Sequence, residues 1–315
     1  MKLAFVFPGQ GSQHVGMGLE FYRQYAQARE IFAKADAALG FSLSELCFQG
    51  PKEELQKTIN TQPAVLTASI ASLAVLLSYG IRADAAAGHS LGEYSALVAA
   101  QALDFKVAVQ IVRRRGQLMQ EAVPLGSGGM VALLGLDRER VDGVVRTART
   151  QGVIEAANYN CPGQVVLAGE MPALEAAVAA AKQAGAKRCV ILPVSGPFHS
   201  SLMRRASELF EPELTGKGVV RKPAFPVVAN VTANYVKTAA EVRSALARQI
   251  YSPVLWEDSI RRLVRDGVKF FVEVGPGKVL TGLIKRIAPE AACCNVEDIA
   301  SLKATLEFLK QAGVA

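Results

Sequence analysis

The stretch Ala64–Ile81, "AVLTASIASLAVLLSYGI", runs for 18 residues without a charge. A helix of that composition is apolar on every side, so it needs either a bilayer or a core wide enough to surround it. Thr67, Ser69, Ser72 and Ser78 dilute the segment and no second one follows, which favours a helix buried in a large core over a membrane span. The 315 residues, half of them hydrophobic, supply enough chain for such a core in one large domain or two. The opening "MKLAFVFPGQG" reads as a buried first strand ending in a turn. Its apolar run Leu3–Phe7 is too short for an export signal, and Pro8-Gly9 breaks it.

Strands and helices alternate around that segment. "LAFVF" and "ADAAAGH" read as strands, and "LEFYRQYAQAREIFAKADAAL", "LGEYSALVAA" and "FKVAVQIVRRRGQLMQEAV" as helices. This order predicts an α/β fold, a hydrolase-like domain with a mainly parallel sheet and helices on both faces. The rhythm breaks at Pro124-Leu125-Gly126-Ser127-Gly128-Gly129, a run of turn-forming residues that reads as a linker. Strand "MVALLGL", a helix opened by Asp137, strands "GVIEAANYN" and "GQVVLAGE", helix "PALEAAVAAAKQAG" and strand "AKRCVILPV" follow. That is the βαββαβ order of a ferredoxin-like unit. Residues 128–195 are therefore expected to form a small subdomain inserted into a larger one made of 1–127 and 196–315. In the second part "PVVAN" and "KFFVEVG" read as strands, "AAEVRSALARQIY" and "WEDSIRRLVRDG" as helices, and a further helix starts at Val279.

Five cysteines, Cys47, Cys161, Cys189, Cys293 and Cys294, form no Cys-x-x-Cys and have no histidine at metal-ligand spacing. An odd count without an export signal points to reduced thiols in the cytoplasm and to no metal site. The net charge of +7 is unevenly spread: residues 182–286 hold 18 Lys and Arg against 8 Asp and Glu. Such an excess is either a solvated face or an attraction for an acidic or phosphate-bearing partner. Few aromatics and no recognised binding motif argue against nucleic acid.

The chemistry centres on Gly88-His89-Ser90-Leu91-Gly92, a Gly-x-Ser-x-Gly pattern between a predicted strand and a predicted helix. In that setting Ser90 is either a nucleophile on a tight elbow or an ordinary helix-capping serine. A nucleophile needs a base, and the three histidines are His14, His89 and His199. His89 adjoins the serine and should diverge from it. His199, in "VSGPFHSSL", lies between a strand and a helix and can project into a cleft. No acid is obvious for a triad. Asp104, Glu121, Asp137, Glu139, Asp142, Glu155, Glu170 and Glu175 mostly fall on predicted helix faces, so a dyad oriented by another acceptor is expected.

Taken jointly, "FVFPGQGSQ", "GHSLGEYSAL", "RRGQLMQEAVP", "NYNCPGQVVLAG", "PFHSSLM", "QIYSPVLW" and "VEVGPGKVLTGL" span the chain and resemble, in order and spacing, the malonyl-CoA:acyl carrier protein transacylases of bacterial fatty-acid synthesis. The resemblance implies Ser90 as acylated nucleophile and His199 as general base and acid. It implies backbone N–H groups of Gln10 and Leu91 as the oxyanion hole and Arg115 as partner of the malonate carboxylate. Gln249 would orient His199 through its carbonyl, filling the place of the missing acid. Gln62, Asn158 and Asn160 would line the cleft. Phe198 is a bulky residue at a position where related polyketide acyltransferases use size to separate malonyl from methylmalonyl. Of Arg113, Arg114 and Arg115, consecutive on a helix, the residues alone do not say which points inward.

The resemblance further implies a ping-pong transfer without metal, nucleotide or redox cofactor. The substrates would be malonyl-CoA and an acidic acyl carrier protein docking on the basic surface, with no membrane involved. A free-standing polyketide acyltransferase, a serine esterase or thioesterase and a non-catalytic binding module are the rival readings. The missing acid and Arg115 weigh against the esterase.

Overall fold

Strand β1 (Lys2–Phe7) buries both of its faces. Leu3, Phe5 and Phe7 join one apolar cluster with the uncharged helix, while Ala4 and Val6 join a second with Trp256, Ile260 and Leu283. A strand covered on both sides needs helices above and below it, which explains why its sequence is an unbroken apolar run. The computed structural model describes every residue except Met1, Leu125, Lys217 and Ala315. Leu125 of the expected linker and Lys217 of the basic stretch thus lie outside the described residues.

The described strands are β1, β2 (Ala85–Gly88), β3 (Gly128–Leu134), β4 (Ile154–Cys161), β5 (Gln164–Glu170), β6 (Arg188–Ile191), β7 (Val227–Ala229), β8 (Asn234–Val236), β9 (Val268–Val274) and β10 (Ala292–Val296). They make a six-stranded sheet in the order β10-β9-β1-β2-β7-β8 and a four-stranded sheet in the order β4-β5-β3-β6. In the larger sheet every pairing is parallel except β7 with β8. The smaller is antiparallel throughout. Its strand order is that of the ferredoxin-like unit expected from the sequence. Its two helices, Arg138–Ala148 and Met171–Gln183, cover one face through Val141, Val144, Leu174 and Ala177. The other face contributes Met130, Ala132, Val166 and Ala168 to the large core.

The uncharged segment forms the helix Thr58–Ser78, long and apolar enough to cross a membrane but mostly buried inside this fold. Leu66, Ala71, Val75 and Leu76 are fully enclosed. Three features depart from the sequence reading. The long helix expected from Leu19 to Leu39 is two, Leu19–Gln24 and Ala26–Leu39, because Tyr25 is extended (φ −120°, ψ 125°). Gly128 and Gly129 of the expected linker are strand residues paired with β5. The short edge strands β8 and β10 and the final helix Ile299–Gln311 have no counterpart in that reading. "NYV" is too short to show a period, and "ACCNV" is only half buried, so neither carries the apolar signature of a central strand.

Candidate active site

The sheet order sets neighbouring strand ends side by side. Gln10 follows β1, Ser90 follows β2 and Asn230 follows β7, all at the carboxyl edge of the larger sheet, where open α/β sheets form crevices. Beneath that edge lies a cleft of about 240 Å³, with Gln10, Ser90, Arg115 and His199 on one side and Asn158 and Val166 of the smaller sheet on the other.

Ser90 has a φ of 51°, the left-handed region that a residue with a side chain rarely enters. The glycines on either side make this turn feasible. A Cβ on Gly88 would overlap the backbone of Gly92, and one on Gly92 would overlap the carbonyl of Phe7. Asn230 closes the turn from outside: its Nδ2 donates to Gly88 O at 2.7 Å, and its Oδ1 accepts from the Ser90 N–H at 2.7 Å. The helix Gly92–Ala99 starts immediately afterwards. The backbone N–H groups of Gln10 and Leu91 have no acceptor among the described residues, and both residues line the cleft. The Gln10 side chain itself donates to Thr58 Oγ1 at 3.1 Å.

His199 is buried and also has a positive φ, 62°. Its Nδ1 lies 2.7 Å from the carbonyl oxygen of Gln249, and its Nε2 lies 2.7 Å from Ser90 Oγ. A carbonyl can only accept, so Nδ1 carries the proton and Nε2 is left as the acceptor for the serine hydroxyl. Burial, followed by the cation of Arg115, pulls the His199 pKa down to about 3, so the ring is neutral at neutral pH. No carboxylate hydrogen-bonds to His199 among the described residues; the Gln249 carbonyl occupies that position.

Of the three consecutive arginines only Arg115 enters the cleft. Arg113 stacks over Phe41 and Arg114 lies beside Glu213. Arg115 is buried. Its Nη1 donates to Gln62 Oε1 at 2.7 Å, and its Nη2 donates to Gln249 Oε1 at 2.9 Å and to Ser90 Oγ at 3.2 Å. The guanidinium has polar contacts but, among the described residues, no direct carboxylate partner. Asn158 and Phe198 line the cleft. Asn160 lines it too, and its Oδ1 accepts from His89 Nε2 at 2.8 Å, which, with Trp256 packed nearby, turns His89 away from the serine.

Two further residues belong to this cluster and escape the sequence reading, Asn230 and Glu93. Glu93 is buried one turn after Ser90. Its Oε2 accepts from Asn230 N at 2.9 Å and from Gln249 Nε2 at 2.7 Å. Burial, partly offset by these donors, raises its pKa to about 7. An acid three residues into a helix that otherwise reads as apolar was the available signal. Nothing local marks Asn230, whose role depends on β7 lying next to β2.

The family described as an acyl transferase domain matches residues 4–305. A malonyl CoA-acyl carrier protein transacylase of Bacillus subtilis (strain 168) is 47% identical over 311 residues, covering 98% of each chain. The crystal structure of a malonyl CoA-acyl carrier protein transacylase from Clostridium perfringens superposes with a TM-score of 0.96 at 42% identity, over 100% of this chain and 99% of that one. A malonyl-transacylase solved in complex with its type II PKS acyl-carrier protein gives a TM-score of 0.94 at 45% identity, over 98% of this chain and 100% of that one. Matched along essentially its whole length by these proteins, the chain belongs to the malonyl CoA-acyl carrier protein transacylase family of acyl transferases.

Proposed function

We propose that this enzyme moves a malonyl group from malonyl-CoA to the phosphopantetheine thiol of an acyl carrier protein, supplying extender units for fatty-acid synthesis. The observation that carries the proposal is the convergence on one hydroxyl: Ser90 Oγ meets His199 Nε2 at 2.7 Å and Arg115 Nη2 at 3.2 Å. A serine served by a neutral base is an acyl acceptor, and a buried cation on the same oxygen selects an acyl group that ends in an anion.

Ser90 attacks the thioester carbonyl as His199 Nε2 takes its proton. The tetrahedral oxyanion forms against the N–H groups of Gln10 and Leu91. Its collapse expels the thiolate of coenzyme A, which takes the proton from His199. In the malonyl ester the free carboxylate carbon is three bonds from Oγ, within reach of the Arg115 fork. The carrier thiol then gives its proton to His199 and attacks the ester, and the departing Ser90 oxygen takes that proton back, restoring both residues. Thioester becomes ester and ester becomes thioester, so the cycle balances without metal or redox cofactor.

In this reading residues 128–195 act as a unit that forms one wall of the cleft, against the body made of 1–127 and 196–315. The basic stretch 182–286 receives the acidic carrier. Arg286, exposed, donates to Gln164, which lines the cleft, so part of that charge adjoins the entrance. A cytoplasmic setting, with the five free cysteines reduced, fits the same reading.

The test is incubation with malonyl-CoA and purified carrier proteins of fatty-acid and polyketide type. Malonyl on the fatty-acid carrier is the expected result. Malonyl on the polyketide carrier alone would move the enzyme to that pathway, and free malonate without carrier acylation would make it a thioesterase.

A further inference from the structure

Arg115, a buried cation, and Glu93, a buried acid, do not touch. Between them stands the side-chain amide of Gln249: Oε1 accepts from Arg115 Nη2 at 2.9 Å, and Nε2 donates to Glu93 Oε2 at 2.7 Å. We propose that Glu93 is a positioning residue for malonyl selectivity, acting through Gln249 by fixing which end of that amide faces Arg115.

An amide has an acceptor end and a donor end, and a half-turn exchanges them. If Gln249 turned over, its NH2 would face a guanidinium, donor against donor, and the fork of Arg115 would lose a point of support. Glu93 prevents this. Its Oε2 already faces the Asn230 N–H at 2.9 Å, so it is held as an acceptor and takes the Gln249 NH2 as its second donor. The other acceptors near Gln249 Nε2 are farther away, Ser90 O at 3.0 Å and Asn230 Oδ1 at 3.2 Å. Arg115 therefore rests on two neutral glutamine oxygens, Gln62 Oε1 and Gln249 Oε1.

The separation also has a chemical use. A carboxylate bonded directly to Arg115 would compete with malonate for the same fork. One amide away, Glu93 keeps a compensating acid close to a buried cation while leaving the fork to the incoming acyl group. Glu93 touches neither Ser90 Oγ nor the ring of His199 among the described residues, so it takes no part in proton transfer.

The inference rests on the malonyl-transfer reading, and one experiment separates their failures. Wild type, Glu93→Gln, Glu93→Met, Gln249→Met and the double Met variant are compared by kcat/KM for malonyl-CoA and for acetyl-CoA, with thermal melting as the folding control. Wild type that moves no malonyl sinks the reading itself. Given an active wild type, Glu93→Met should lower malonyl transfer by roughly 30- to 100-fold and acetyl transfer by less than about fivefold. Glu93→Gln keeps an acceptor and should recover most of the lost discrimination. In a Gln249→Met background Glu93→Met should change discrimination by less than about twofold, since its route is already cut. Equal loss of both acyl groups in a folded Glu93→Met, or additive effects in the double variant, overturns the inference. If the Met variant does not fold, Glu93→Gln decides: a folded protein that has lost tenfold or more of its discrimination, roughly the size of one good hydrogen bond to a charged group, overturns it, and retained discrimination supports it.

Discussion

Ser90 Oγ and His199 Nε2 are 2.7 Å apart, and each side chain is carried by a backbone in the left-handed region, φ 51° and φ 62°. Two non-glycine residues held in sparsely populated conformations, in direct contact with each other, are kept there by their surroundings: Asn230 and the paired glycines for Ser90, the Gln249 and Ile250 carbonyls for His199. The covalent intermediate is expected on Ser90. Brief mixing with malonyl-CoA should add one malonyl mass to a Ser90 peptide, and an unchanged adduct in Ser90→Ala would falsify the assignment.

Among the described residues His199 is the one base that hydrogen-bonds to the serine hydroxyl, so it is expected to serve both half-reactions. His199→Ala should therefore stop acylation of the enzyme and discharge to a thiol alike, measured separately by single turnover. Loss of only one step would mean that a second base exists.

Its low pKa gives a pH signature. The folded ring titrates near 3 and an unfolded histidine near 6.5, so below 6.5 the unfolded chain binds a proton that the folded chain refuses. The contribution of this residue to stability is complete above pH 6.5 and is lost progressively as pH falls toward 3. Urea midpoints for wild type should decline across that window more than those of His199→Ala. Parallel curves would show that His199 titrates normally in the folded protein.

The elbow, the base and the strand–helix alternation could be read from the sequence because each is local: two glycines around a serine, a histidine after a strand, apolar runs. The choice of Arg115 over Arg113 and Arg114 came from the family resemblance and not from the residues alone, since it depends on how the helix Phe105–Glu121 turns toward Thr58–Ser78. Asn230 was invisible, and Glu93 was marked only as an acid in an apolar helix, for a related reason. They meet Ser90 and Gln249 across 140 and 156 positions of sequence, contacts made by β7 pairing with β2 and by the end of the helix Ala239–Gln249 rather than by any neighbouring residue. The resemblance to known transacylases named Gln249 as the orienter of His199 through its carbonyl, yet it said nothing of the side-chain amide that also holds Arg115.

The excess positive charge across residues 182–286 should act on the carrier and not on the small substrate. Rates with carrier protein should fall as salt rises, more steeply than rates with pantetheine as acceptor, because a large acidic partner is steered by many charges at once. Identical salt dependence for the two acceptors would leave the charge as a solvated face.

Arg115 should set the preference for an acyl group that ends in a carboxylate. Its guanidinium is buried, and Gln62, Gln249 and Ser90 accept from it without neutralising it. In the proposed reaction malonate would supply the missing anion. A planar fork can hold both carboxylate oxygens, which an ammonium cannot copy. An acetyl group would leave the cation unpaired, so the same residue should reject neutral acyl chains. Arg115→Ala should cost malonyl transfer about 3–4 kcal/mol, roughly 150- to 900-fold in kcat/KM, while acetyl transfer falls far less or rises. Arg115→Lys restores the charge without the fork and should fall between wild type and Arg115→Ala. If Arg115→Ala lowers malonyl and acetyl transfer by the same factor, the arginine only braces Ser90 and Gln249, and the carboxylate is held by another group.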